Sequence, residues 1–164
     1  MRVLPLSLLG LLVAAPTVLA ADCQPDADSA ARALNALRAQ ARSCGERAWP
    51  AAPALRWQAT LGESSRRHAV ALAALDRLDH VDAAGGTLRT RLREAGYAMR
   101  VSGENLAGGP ETLDEALGQW LDSDGHCDNL MAAQFEEFGL ACVSGPGKLQ
   151  RYWVLQLAAP AGKR

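Results

Sequence analysis

Residues 97–121 read YAMRVSGENLAGGPETLDEALGQWL. Tyr97 to Leu106 reads as an extended segment, and Gly108-Gly109-Pro110 then turns the chain. Thr112-Leu113-Asp114-Glu115 has the spacing of a capping box, in which a hydroxyl and a carboxylate satisfy orphan N–H groups of the first turn. It opens a helix with Leu113, Ala116, Leu117, Trp120 and Leu121 on one apolar stripe. Gly125 ends that helix, and residues 126–133 read as one or two more helical turns.

Upstream the chain reads as helices. Asp26 to Ser43 carries Leu34, Leu37 and Ala41 at helical spacing, with acidic caps at Asp26 and Asp28 and a stop at Gly45. Residues 48–56 form a Pro-punctuated connector with Trp49 and Trp57 as core anchors. A second helix is expected over Gln58–Leu78, with Leu61, His68, Leu72 and Leu75 on one face. On that face His68 reads as a packed residue rather than a ligand. After Gly85-Gly86, Thr87 caps a short third helix that ends at Gly96. Downstream, Phe138–Val143 and Tyr152–Ala159 read as strands joined by a turn around Pro146. Helices first, one strand in mid-chain and two at the end give an α+β domain, with a small, mainly antiparallel sheet covered by helices.

The N-terminus sets a compartment. Arg2 precedes an apolar run from Leu4 to Val13, Pro16 breaks it, and Val18-Leu19-Ala20 suits signal peptidase. This is the pattern of a secretory signal over residues 1–20, cleaved after Ala20, and the run is too short to span a bilayer. The product is expected in a periplasm or outside the cell. Residues 21–29 then form an N-terminal segment, 30–160 one domain and 161–164 a tail. The formal net charge is −1 with interspersed signs, which argues against nucleic acid or an anionic membrane as partner. A monomer is expected. The cysteines number four, with no CxxC, and read as two disulfides in an oxidising compartment. Of the three pairings the local one is expected, Cys23–Cys44 with Cys127–Cys142.

The chain carries no GxSxG, HExxH, P-loop or GxGxxG motif. What stands out is His80 directly after the second helix, Glu104 within Gly103-Glu104-Asn105, His126 after Gly125, and Glu137 between Phe135 and Phe138.

These residues follow an order that resembles the CAP superfamily of cysteine-rich secretory, antigen 5 and pathogenesis-related proteins, in its short bacterial form. The order runs His80, Gly85-Gly86, Ala95-Gly96-Tyr97, Gly103-Glu104-Asn105-Leu106, Trp120 with Ser123, Gly125-His126, Asn129-Leu130-Met131, Phe135-Glu136-Glu137-Phe138-Gly139 and Tyr152-Trp153, over about residues 30–159. The resemblance implies a three-layer α-β-α sandwich with a cleft lined by two histidines and two acids. His80, His126 and Glu104 match by motif position. The second acid is either Glu137 or a group near Ser123-Asp124. Two imidazoles with carboxylates suit Zn²⁺ or another divalent ion, held by His80 and His126. The same set also makes sense as a satisfied hydrogen-bond network. The expected function is therefore an exported module whose cleft binds a small ligand, lipid, peptide or divalent metal. The rival reading is a metal-assisted hydrolase acting on peptides or envelope components, with Glu104 or Glu137 as general base.

Overall fold

The computed structural model describes residues 23–162, so the expected export signal lies outside the described residues. The elements in order are α1 (Ala27–Arg38), β1 (Arg42–Cys44), β2 (Arg47–Trp49), β3 (Arg56–Trp57), α2 (Ala59–Leu75), α3 (Leu88–Glu94), β4 (Met99–Gly108), α4 (Leu113–Leu121), α5 (Asp124–Met131), β5 (Glu137–Ser144) and β6 (Arg151–Pro160). β3, β5, β6 and β4 lie side by side in that order as a four-stranded sheet, with only the short β3–β5 pair parallel. β4, the extended segment of the capping-box stretch, is an edge strand.

Strand alternation divides the core into two layers of contacts. Ala107, Leu155, Leu157, Leu140, Phe138 and Trp153 pack with Leu34 of α1, Trp120 of α4 and Leu130 of α5. On the opposite face, Leu106, Val154, Ala141 and Tyr152 pack with Ala69, Leu72 and Ala73 of α2. Leu92 of α3 joins Leu61, Tyr97 and Ala158 there. The result is a three-layer α-β-α sandwich. α2 approaches β5 so closely that a Cβ on Gly139 would overlap the backbone of Leu61 and Gly62. Only glycine permits that distance.

Helix ends follow the local chemistry. The Asp26 side chain accepts from Ser29 N, Thr87 from Thr90 N and Thr112 from Glu115 N. α2 stops at Asp76, whose φ of 48° is left-handed. Its carboxylate takes the N–H groups of Lys148 and Leu149 and the Tyr152 hydroxyl, tying the helix end to the β5–β6 turn. The first helix is shorter than its sequence suggests. It ends at Arg38, and residues 42–49 form a hairpin around Gly45, whose φ is 56°. Gly45 thus serves a two-residue turn rather than a helix stop. Arg38 itself is fully buried, donating from Nε to Pro53 O at 2.9 Å and from its Nη groups to the carbonyls of Leu130 and Ala132. It therefore closes the carbonyl end of α5.

The disulfides correct the local pairing. The bonds are Cys23–Cys142 and Cys44–Cys127, each with Cα atoms 5.5 Å apart. Cys23 precedes α1 and Cys44 follows it, and the 12-residue helix between them is about 18 Å long. Cys127 sits on α5, while Cys142 is well along β5 and faces α1. The real bonds span 119 and 83 residues. Loops of these lengths are worth about 4.5–5 kcal/mol each in the chain-entropy model, taken singly.

Candidate functional site

Glu104 lies on β4 with its side chain 3 % exposed and faces the α2 layer. Such a carboxylate must be paired to survive burial. One oxygen accepts from His80 Nδ1 at 2.9 Å. The other accepts from Arg91 Nη2 at 2.6 Å and Gln156 Nε2 at 3.2 Å. Burial alone would raise the Glu104 carboxyl, but the His80 hydrogen bond and the Arg91 charge outweigh it and hold the group below the ordinary carboxylate range. It stays ionised.

Arg91 organises the wall. From α3 its Nη1 donates to His80 O at 2.9 Å and Gly86 O at 3.0 Å, so one guanidinium pins both ends of the 80–86 loop and the buried acid. Asp82 folds that loop by accepting from the N–H groups of Ala84 and Gly86. His80 is thereby presented on the surface with only its Nδ1 face committed. The Glu104 hydrogen bond raises its pKa against the effect of partial burial. Because an ionised carboxylate only accepts, Nδ1 carries the proton, and in the neutral form Nε2 keeps a lone pair free.

The other wall hangs from the next residue. Asn105 points to the α5 layer, where its Nδ2 donates to His126 O at 3.0 Å and its Oδ1 accepts from Asn129 Nδ2 at 2.9 Å. His126 is half-buried at the start of α5, and its ring nitrogens have no hydrogen-bond partner among the described residues. Burial lowers its pKa, and the neighbouring His80 charge lowers it further, so it is neutral where His80 is still protonated. The site is thus two imidazoles flanking the β4 edge, one backed by a carboxylate.

The other sequence candidates do not join this pair. Glu137 lies two strands away on β5, accepting from Tyr97 OH at 2.7 Å and Arg56 Nη2 at 3.1 Å. Burial and that carboxylate push the Tyr97 phenol up. Asp124 lies against Gly45 at the β1–β2 turn. His68 is buried beside Glu104, 4.0 Å away, with Nε2 bonded to Asp79 O at 2.9 Å. A carbonyl accepts, so Nε2 bears the proton, and burial keeps the ring neutral against the pull of Glu104. His68 is therefore a packed residue of the wall, as its place on the helix suggests. Sequence reasoning overlooked Arg91 and Gln156. Gln156 had a signal: it is a polar residue inside the apolar run Trp153–Ala159.

As a metal centre the set is sparse. Among the described residues no group of three or more His, Cys, Asp or Glu side chains is placed to share an ion. Glu104 is spent on Arg91 and Gln156, and Glu137 is elsewhere. Two imidazoles fall short of the three protein ligands of a catalytic zinc, so the residues do not fit a resident catalytic metal. They could hold an exchangeable ion weakly. No helix among the described residues is long and apolar enough to cross a membrane.

Comparison with known proteins agrees with this architecture. Residues 31–157 match the family described as CAP, the cysteine-rich secretory protein family. The uncharacterized protein YkwD of Bacillus subtilis (strain 168) is 27% identical over 84 residues, covering 51% of this chain and 33% of its own length. An extracellular protein containing an SCP domain from Bacillus anthracis superposes with a TM-score of 0.58 at 25% identity, over 65% of this chain and 34% of that one. The chain thus spans about a third of the length of both. An outer surface protein from Borrelia burgdorferi shares the fold with a TM-score of 0.66 at 18% identity, over 85% of this chain and 99% of its own. With the sandwich, the motif order and the family match in agreement, the chain belongs to the CAP, or cysteine-rich secretory protein, family.

Proposed function

We propose that this protein is an exported binding module whose ligand sits at the β4 edge, held by His80 and His126. The observation that carries the reading is the buried Glu104 carboxylate 2.9 Å from His80 Nδ1, itself locked by Arg91. This arrangement costs desolvation of a charge to fix the tautomer and direction of one surface imidazole. A ring held this way is set up to use its other nitrogen. His126, neutral and without a ring partner among the described residues, supplies the second contact. Export is supported by the leader pattern in residues 1–20, by two disulfides in a chain without free cysteines among the described residues, and by the extracellular relative from Bacillus anthracis.

The ligand class is a small molecule or peptide with hydrogen-bonding groups, and a weakly held divalent ion is a compatible addition. Metal-assisted hydrolysis is not favoured. Glu104 is kept ionised by an arginine it cannot leave, and Glu137 is spent on Tyr97 and Arg56, so neither is free to act as base.

A fragment library screened by NMR tests the reading. Hits should shift the imidazole signals of His80 and His126 and vanish in the double variant His80→Ala, His126→Ala. Hits that map elsewhere and survive that variant would sink it. Zn²⁺ calorimetry adds a separate check, with a weak heat lost in the same variant as the expected result.

A further inference from the structure

The edge of β4 has its carbonyls capped along one half and is open along the other. Gly109 N donates to Arg151 O, so 109 and 151 form a hydrogen-bonded pair. Counting back by twos through the register makes Ala107, Asn105 and Gly103 the residues that bond β6. The backbone groups of Leu106, Glu104 and Ser102 therefore point outward, away from the sheet. Two of these are covered. Trp120 Nε1 donates to Leu106 O at 2.9 Å, and Asn129 Nδ2 to Glu104 O at 3.4 Å. For the N–H and C=O of Ser102 and the N–H groups of Glu104 and Leu106 no partner occurs among the described residues. A register irregularity between Met99 and Val101 ends the usable edge on the other side.

Exposed strand edges are normally blunted by bulges, charges or coverage. Here α4 and α5 side chains blunt one half, and the uncovered stretch coincides with a groove of about 430 Å³. Its walls include His80, Val81, Leu88, Arg89 and Ser102. Val81 is 42 % exposed, an apolar surface beside the open ladder. Arg89 is exposed and has no ion-pair partner among the described residues. The free donors and acceptor recur at a two-residue strand period, about 6.8 Å. Extended polypeptide matches that period on its own backbone.

We propose that this groove takes an extended peptide, added as a short outer strand against Ser102–Glu104, with an apolar side chain toward Val81 and Leu88 and a carboxylate toward Arg89. This deepens the binding function proposed above and rests on it. Main-chain bonds supply affinity and the two flanking contacts supply choice, as in other cases of strand addition.

A phage-displayed random dodecamer library selected on the purified protein tests the proposal. Enriched peptides should carry an apolar residue near an acidic one. Their synthetic forms should slow hydrogen exchange at the Ser102 and Glu104 amides. Ser102→Pro removes an outward N–H at a position where an edge strand tolerates proline, and should weaken binding about tenfold, the worth of one good hydrogen bond. Ser102→Ala should bind as the parent does. Methylating alternate backbone nitrogens of the peptide should abolish binding, which keeps the test decisive if the proline variant folds poorly. Absence of enrichment overturns the proposal, as does binding that is indifferent to both backbone blocks. Sedimentation showing a dimer that Ser102→Pro dissolves would assign the edge to a second copy of this chain instead. If fragments still engage His80 and His126 while peptides do not use the edge, the binding site stands and strand addition falls.

Discussion

Replacing Glu104 by glutamine keeps the shape of the side chain and removes its charge. The carboxylate accepts from His80, Arg91 and Gln156 with its side chain 3 % exposed, and Arg91 is itself 9 % exposed. An amide has one acceptor oxygen. Its NH₂ either faces the Arg91 and Gln156 donors, donor against donor, or faces His80 Nδ1, which must then move its proton to Nε2 and accept. The dominant loss is the Arg91 pair, since removing one partner of a buried pair costs about 3–5 kcal/mol. The oxygen that remains recovers part of this, so the expected destabilisation is about 3 kcal/mol. At about 2–4 °C per kcal/mol for a chain of this size, Tm should fall by about 6–12 °C. The pH dependence carries its own sign. Glu104 is depressed when folded, so its contribution is present above the unfolded value and lost as pH falls through the folded one. His80 is raised, so its smaller contribution, screened by exposure, is full below its unfolded value and lost as pH rises through the folded one. The gap between parent and Glu104→Gln should therefore be widest at about pH 5–6.5 and narrow on both sides. Urea denaturation across pH, with NMR titration of His80, measures both. A Tm within 2 °C of the parent's, or an unmoved His80 titration, would refute the reasoning.

Arg38→Met should cost about 2–4 kcal/mol in urea denaturation, because the carbonyls of Pro53, Leu130 and Ala132 lose a buried donor. Gly139→Ala should cost at least about 1–3 kcal/mol by forcing α2 away from β5, whereas Gly118→Ala in α4, where an added Cβ meets nothing within 4 Å, should gain about 0.5–1 kcal/mol. Equal Tm values for these two glycine variants would contradict the close packing of α2. Non-reducing peptide mapping should recover Cys23 with Cys142 and Cys44 with Cys127. The double variant Cys44→Ser, Cys127→Ser should lose up to about 4.5 kcal/mol and shift the His126 signals before global unfolding.

The parts of the fold that could be read from sequence are those set by local chemistry. The α4 start needed only Thr112 and Glu115, and the order of the helices and the three long strands followed from periodicity and turn signals, whereas the short strands β1, β2 and β3 did not. The hidden parts depend on geometry that only the folded chain creates. Residues 39–43 look like the end of a helix stopped by Gly45, yet Arg38 is drawn inward by carbonyls from α5 and the 50s connector, and the chain leaves the helix there. The disulfides failed by the same logic, since sequence nearness ignores the rod of α1 between Cys23 and Cys44. His80, Glu104 and His126 could be picked out by motif position. Arg91 could not, because nothing separates it from Arg89 and Arg93 on a seven-residue helix until the 80–86 loop folds over it. Glu137 was picked out by motif position too, but its place at the start of β5 hands it to Tyr97 and Arg56.

The three residues Gly103, Glu104 and Asn105 show why the site needs a strand and why that strand is at the edge. Side chains alternate between faces, so neighbours in sequence address opposite layers. Glu104 holds the loop bearing His80 through Arg91, and Asn105 holds the start of α5 bearing His126. Gly103, on the face of Asn105, leaves room that a Cβ would take from Phe135 at 2.8 Å and Asn129 at 3.1 Å. One dipeptide thus sets the relation between two histidines that are far apart in the chain. A residue inserted at the irregular Met99–Val101 step should be absorbed, since the register already shifts there. One inserted between Gly103 and Glu104 would exchange the faces. It would drive the carboxylate into the layer of Phe135 and Leu155 and leave Arg91 without its acid. The first insertion should leave the paired His80 and His126 titrations intact. The second should unfold the domain, and survival of both titrations in it would show that β4 is not what joins the two walls.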